Sequence, residues 1–192
     1  MDDHNRLQRD VVRFLSDHQT HQDEGPVEVI STHISEIFLV GDLAFKMKRA
    51  VRFRYLDFST LDLRHQACEA ELRKNYRTAP DLYLDVVSVT RDLSGELSLD
   101  GDGDVVEWLV KMRRFADDAL LNLQISAGGM CRYAFIDLAD HIADFHTVAE
   151  PQSDAGGYRG SHLIFDNITA CFDLVDTFLD ERTLTAWKRD CF

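Results

Sequence analysis

The run Ile37-Phe38-Leu39-Val40, Gly41-Asp42, Leu43-Ala44-Phe45-Lys46-Met47 constrains this chain more than any other stretch. Two β-rich segments flank a Gly-Asp pair, so the residues from Glu36 to Lys48 read as a β-hairpin. A cation, Lys46, falls inside the apolar alternation of the second arm. On a central strand a lysine is costly unless its charge has a partner. On an edge strand its stem would run along the sheet and its ammonium would snorkel to water. The hairpin by itself leaves both readings open.

The flanking segments set the fold class. Residues 5–19 place Leu7, Val11, Val12, Phe14 and Leu15 at helical spacing, and Gly25-Pro26 breaks that pattern. A short strand is expected at 27–30, then a polar turn, Ser31-Thr32-His33, then the hairpin. Ser59-Thr60 reads as a helix N-cap with Asp62 in the first turn, and the helix runs on until Pro80 stops it. Strands are expected at 83–89, 96–99 and 105–112, with a turn at 91–95 and a loop at 100–104. Beyond Phe115 the pattern turns helical, over 117–125 and 134–148, then a Pro/Gly/Ser-rich loop at 151–160 and a last helix from about 168. The order is that of an α+β chain, an antiparallel sheet first and helices after it.

The 45% hydrophobic content of the 192 residues, with 12 Phe, is enough for a packed core. The formal net charge of −13 speaks against a general nucleic-acid binder, whose affinity comes from neutralising phosphates. A small phosphate-bearing ligand in a local cationic pocket remains compatible with it. Cys68, Cys131, Cys171 and Cys191 form no C-x-x-C pair and read as thiols of a reducing compartment, not a disulfide frame or zinc site. Met1-Asp2-Asp3-His4 has neither a basic region nor an apolar leader, and no apolar run approaches membrane-spanning length, so a cytoplasmic protein with no membrane partner is expected.

Several apparent motifs dissolve on spacing. Asp100-Gly-Asp102-Gly-Asp104 resembles a calcium loop, but its sixth position is Val105 and its twelfth Lys111. His141 and His146 are five apart, which does not return both to one helix face for zinc. Gly156-Gly157-Tyr158-Arg159-Gly160 is neither a P-loop nor G-x-G-x-x-G, and His33 and Ser35 have no third partner for hydrolase chemistry. No metal site is assigned.

What remains is Lys46 on the third strand, followed by a long helix that holds Glu69 and Glu71. A strand lysine paired with a glutamate of the next helix is the core of the protein-kinase nucleotide site. There the lysine can be buried, because a carboxylate and a ligand phosphate both compensate it.

STHISEIFLVGDLAFKMKRAVRF (Ser31 to Phe53), LDFSTLDLR (Leu56 to Arg64), CEAELRKNYRTAPDLYL (Cys68 to Leu84), VVEWLVKMRRF (Val105 to Phe115) and IADFH (Ile142 to His146) resemble a bacterial family. It is that of the aminoglycoside-phosphotransferase-like kinases, which often carry a P-loop ATPase/kinase domain behind them. The likeness runs from about residue 27 to about residue 170. It implies a protein-kinase-like fold, with an antiparallel-sheet N-lobe and N-terminal helix over 1–111, then a hinge and an incomplete helical C-lobe over 112–192. ATP is the implied cofactor. Lys46 matches the phosphate-binding lysine, Glu71 is its first-choice partner and Glu69 the alternative. Ser31-Thr32-His33 stands where the phosphate-covering loop would be, without the glycines of protein kinases. Met112-Arg113-Arg114-Phe115 would be the hinge against which adenine sits.

The resemblance also implies magnesium, but the family's H-G-D-x-x-x-x-N motif and later aspartate lie beyond the last matched segment. Asp166-Asn167 and Asp173 have the residue types without the spacing, so no catalytic residue or magnesium ligand is assigned within the chain. The expected activity is ATP-dependent transfer of a phosphoryl group to a small hydroxylated acceptor, in a chain truncated before the catalytic loop. The alternatives are an inactive nucleotide-binding or regulatory module, or a remnant without a ligand. An incomplete C-lobe is expected to expose apolar surface and invite association.

Overall fold

The computed structural model describes residues 2–21, 25–129, 131–149, 164–166 and 168–169. Helix α1, Asp2–Leu15, turns Gln8, Val11 and Leu15 inward at helical spacing, and a short 3-10 turn follows at His18–His21. Strand β1 is Glu28–Ser31, β2 Ser35–Val40 and β3 Leu43–Lys48, and Gly41 at the β2–β3 turn takes φ 50°, a conformation that costs glycine little. Two-residue strands β4, Arg52–Phe53, and β5, Leu56–Asp57, make a small hairpin too short to leave an alternation in the sequence.

Helix α2, Leu61–Asn75, starts at the expected cap: the Thr60 hydroxyl accepts from the Leu63 amide at 3.2 Å. It ends four residues earlier than Pro80 alone requires. Strand β6 is Tyr83–Arg91, β7 Leu97–Leu99 and β8 Asp104–Arg113. A 3-10 turn at Asp117–Ala119 precedes helices α3, Leu121–Ser126, and α4, Arg132–Val148.

The six long strands form one antiparallel sheet in the order β1-β2-β3-β8-β6-β7, which makes the chain α+β. β3 lies between β2 and β8, so the edge-strand reading of Lys46 is overturned. Successive side chains of β3 point to opposite faces. Phe45 and Met47 join Val11 and Leu15 of α1, with Phe38, Val87, Val89 and Leu109, in one apolar cluster. Ala44 joins Cys68 of α2, with Leu39, Val110 and Met112, in a second cluster on the other face. Lys46 and Lys48 share the Ala44 side and so face α2.

The chain separates into two compact units, Met1–Ala139 and Asp140–Phe192. The boundary expected between residues 111 and 112 falls inside β8. The first unit contains the whole sheet, α1 and α2. The second contains, among its described residues, the end of α4. Gly156 to Gly160, Asn167, Asp173 and most of the last expected helix lie outside the described residues. No helix among the described residues is long and apolar enough to cross a membrane.

Candidate functional site

The site is built on two adjacent elements. β3 presents Lys46 and Lys48 on one face because they are two residues apart. α2 turns Arg64, Cys68 and Glu71 toward the sheet at spacings of four and three, one helical stripe. Lys46 Nζ donates to Glu71 Oε1 at 2.8 Å, and Lys48 Nζ donates to the other oxygen, Oε2. The three side chains are unequally buried: Lys46 is 27% exposed, Glu71 13% and Lys48 6%. Lys48 also lies over the Phe58 ring, 5.6 Å from its centroid.

Burial pushes the Glu71 carboxyl up, but hydrogen bonds from Lys46 and Lys48, with their charges, outweigh it and hold the group below its ordinary value. Two ammonium groups and one carboxylate leave the cluster one positive charge in excess. Tyr83 stands close enough to feel it: burial raises its hydroxyl and the Glu71 charge raises it further, against Lys46. Along the same sheet face the lysines give way to apolar side chains, Ala44 and Leu39, and beside them Met112 on β8.

Glu71 and Glu69 therefore part company. Glu69 points outward, its carboxylate 57% exposed and 3.4 Å from His65 Nε2 one turn back. It lines an open groove of about 600 Å³ between α2 and β6 with His65, Leu72, Tyr76 and Leu84. His65 itself stacks on Trp108 at a ring separation of 3.8 Å. Met112 is buried in the strand, paired with Ala44 and Tyr83. Arg113 is the exposed last residue of β8, its Nε donating to the Asp81 carbonyl at 3.3 Å. Neither belongs to a connecting segment.

Ser31, Thr32 and His33 are exposed, at the β1–β2 connection. Register places that connection at the Lys48 end of β3, since Ser35 pairs with Lys48 and Ile37 with Lys46. The turn is closed from within: the Thr32 hydroxyl accepts from the Ser35 amide at 2.9 Å, and Ser31 Oγ donates to Glu36. Arg49 donates to the Thr32 carbonyl at 2.8 Å, and the His33 and Phe53 rings are 6.3 Å apart.

A second polar cluster was not singled out from the sequence. Glu107 is fully buried and accepts from Arg64 Nε at 2.8 and 3.0 Å, from Gln8 Nε2 at 2.7 Å and from the Trp108 amide at 3.0 Å. Gln8 also donates to the Lys48 carbonyl at 2.9 Å and accepts from the Ala50 amide at 2.8 Å, while Arg64 donates to the Phe58 carbonyl at 3.0 Å. The carboxylate thus ties α1, α2 and the segment after β3 to β8. A lone charge inside Val105-Val-Glu107-Trp-Leu-Val110 is the same kind of signal that Lys46 gives.

Among the described residues no three His, Cys, Asp or Glu side chains converge as metal ligands. The acidic loop after β7 turns one carboxylate inward: Asp100 accepts from the Ser88 amide at 2.7 Å and from its hydroxyl at 3.1 Å.

The chain is similar to uncharacterized proteins of Mycobacterium bovis and Mycobacterium tuberculosis, 33% identical over 128 residues, 67% of this chain and 24% of each relative. It spans about a quarter of the length of these curated relatives. No family model matches it, and no solved structure gives a significant match.

Proposed function

We propose that this chain carries the nucleotide-binding part of a protein-kinase-like phosphotransferase, of the kind its sequence motifs resemble. The observation that carries the reading is the Lys46–Glu71 ion pair, made between a central strand and the helix that follows it. A lysine so placed meets the phosphates of ATP while a helix carboxylate fixes its direction. The excess positive charge of the cluster suits an anionic ligand. The neighbouring Ala44, Leu39 and Met112 continue the same face as buried apolar side chains, and a planar base would have to stack at the border of that cluster.

In this reading Lys46 binds the α/β-phosphates, Glu71 directs it, and Ser31, Thr32 and His33 border the phosphate end. ATP supplies the transferable phosphoryl group when bound. Among the described residues no three His, Cys, Asp or Glu side chains converge to hold magnesium. Transfer to a small hydroxylated acceptor requires an aspartate and magnesium ligands that the motifs of this chain do not provide. The activity is therefore proposed for a longer protein, consistent with the greater length of the relatives. The same shortage favours a second reading, a nucleotide-binding module without catalysis.

The test is the thermal midpoint of the chain with and without magnesium–ATP, beside Lys46→Met. Ligation raises stability by RT ln(1 + [L]/Kd), about 2.7 kcal/mol at a hundredfold excess over Kd. A shift in the parent that is lost in Lys46→Met is expected. No shift in the parent at millimolar magnesium–ATP overturns the reading. Phosphate release by the shifted protein would distinguish a phosphotransferase from a binding module.

A further inference from the structure

We propose that Lys48 is a positioning residue: it anchors the Glu71 carboxylate so that Lys46 is guided by that group without being captured by it, and stays available to a phosphate ligand. The inference rests on the phosphate-binding reading of Lys46 given above.

The two lysines share one carboxylate but are not equivalent. Lys48 is held at both ends. Its side chain is 6% exposed, with the ammonium between Glu71 and the Phe58 ring, and its backbone carbonyl accepts from Gln8. Lys46 is 27% exposed and has Glu71 as its hydrogen-bond partner. Among the described residues, the charged groups near Lys48 are Lys46 on its own strand and Glu71 of α2, with Arg64 of α2 reached through Phe58 and Glu107 of β8 through Gln8. Arg64 and Glu107 satisfy each other at 2.8 Å. Among the described residues Glu71 is therefore the carboxylate left for the two lysines.

A single lysine facing Glu71 would form a neutral pair, and an incoming phosphate would have to take the cation from its carboxylate. With two lysines each carboxylate oxygen has its own donor. When Lys46 turns to a phosphate, Glu71 keeps the Lys48 ammonium, and no buried carboxylate is left unpaired. Lys48 thereby lowers the cost of Lys46 leaving.

The proposal is tested first without nucleotide, by acetylating the lysine amines of the full chain with a water-soluble acetyl ester and following each residue by mass spectrometry. In the parent, Lys46 is expected to acetylate several-fold faster than Lys48. In Lys48→Met, Lys46 is expected to slow several-fold, because the carboxylate is left to it alone, and Lys48→Arg restores the parent rate. An unchanged or faster Lys46 in folded Lys48→Met overturns the proposal. Should Lys48→Met fail to fold, the parent decides: equal acetylation of the two lysines overturns it. The second arm is calorimetric titration with magnesium–ATP, where Lys48→Met is expected to lose about tenfold in affinity, about 1.4 kcal/mol, and Lys48→Arg to keep it. A parent that binds no magnesium–ATP sinks the nucleotide reading, while the acetylation rates still decide the role of Lys48.

Discussion

Lys46 on β3 and Glu71 on α2, 25 residues apart in sequence, meet at 2.8 Å across the sheet–helix interface. Because Glu71 also takes Lys48, its replacement leaves two cations facing each other. Glu71→Gln is expected to cost on the order of 2–4 kcal/mol at neutral pH, less than a fully buried pair because Lys46 keeps some contact with water.

The same group sets a pH dependence. The folded-state value of Glu71 is depressed below the ordinary 4.5. Its contribution to stability is then fully present above that ordinary value and is lost as pH falls through the folded-state value. Urea midpoints of the parent and Glu71→Gln are expected to differ at pH 7 and to converge as the pH is lowered. Curves that stay parallel down to pH 3 would show that the carboxylate does not carry the effect.

The buried pair of Arg64 and Glu107 offers a sharper energetic test. Arg64 is 2% exposed and Glu107 0%, and removing one partner strands the other charge. Arg64→Met and Glu107→Gln are each expected to cost about 3–5 kcal/mol. The double variant should cost clearly less than the sum, since it leaves no lone charge behind. Additive losses in chemical denaturation would mean that the two side chains stabilise the fold independently.

Much of this was legible in the sequence, and the failures have physical reasons. The β2–β3 hairpin, the Thr60 cap and the strands β6 and β8 follow from alternation and capping chemistry, and the helix after the strand offers a partner for Lys46, which the family resemblance, not spacing, puts first at Glu71. Glu69 and Glu71 could not be separated by spacing alone. The inward stripe of α2 carries Arg64 and Glu71 beside Cys68, so an apolar pattern does not mark the buried face. Lys48 closes the expected hairpin, and nothing in its place at the end of the strand announces that its side chain is buried against Glu71. Gln8 and Glu107 are 99 residues apart, and nothing local announces that their hydrogen bond closes a network. Met112 and Arg113 look like a linker beside Arg114 and Phe115, yet pairing with Leu43, Ala44 and Tyr83 keeps them in β8.

Two glycines separate steric from torsional cost. A Cβ on Gly103 would lie 2.2 Å from the Arg91 carbonyl oxygen, against backbone that has no rotamer to yield. Gly95 has open space around it but holds φ at +93°. Gly103→Ala is expected to lose about 1–3 kcal/mol or more by forcing β6 and β8 apart. Gly95→Ala should lose about 1 kcal/mol through strain alone. The urea midpoints of the two variants give the ranking, and a larger loss at Gly95 would contradict the close approach at Gly103.

Cys68 reports whether α2 stays docked. It is fully buried one turn before Glu71, its Sγ 3.8 Å from the Trp108 carbonyl, and burial pushes its thiol up to about 12. Reaction requires both exposure and thiolate, so folded Cys68 should resist alkylation at pH 8 while the exposed Cys131 reacts at once. Peptide-resolved mass spectrometry separates the two sites. Alkylation of Cys68 then measures local opening of α2. Glu71→Gln removes the carboxylate that holds α2 to β3, and Glu107→Gln weakens the Arg64 tie one turn earlier, so both should accelerate labelling of Cys68 and leave Cys131 unchanged. Equal acceleration at both cysteines would indicate global unfolding. An unaltered Cys68 rate in both variants would mean that the charged residues do not hold the helix, and that its apolar and ring packing on the sheet keeps Glu71 in reach of Lys46.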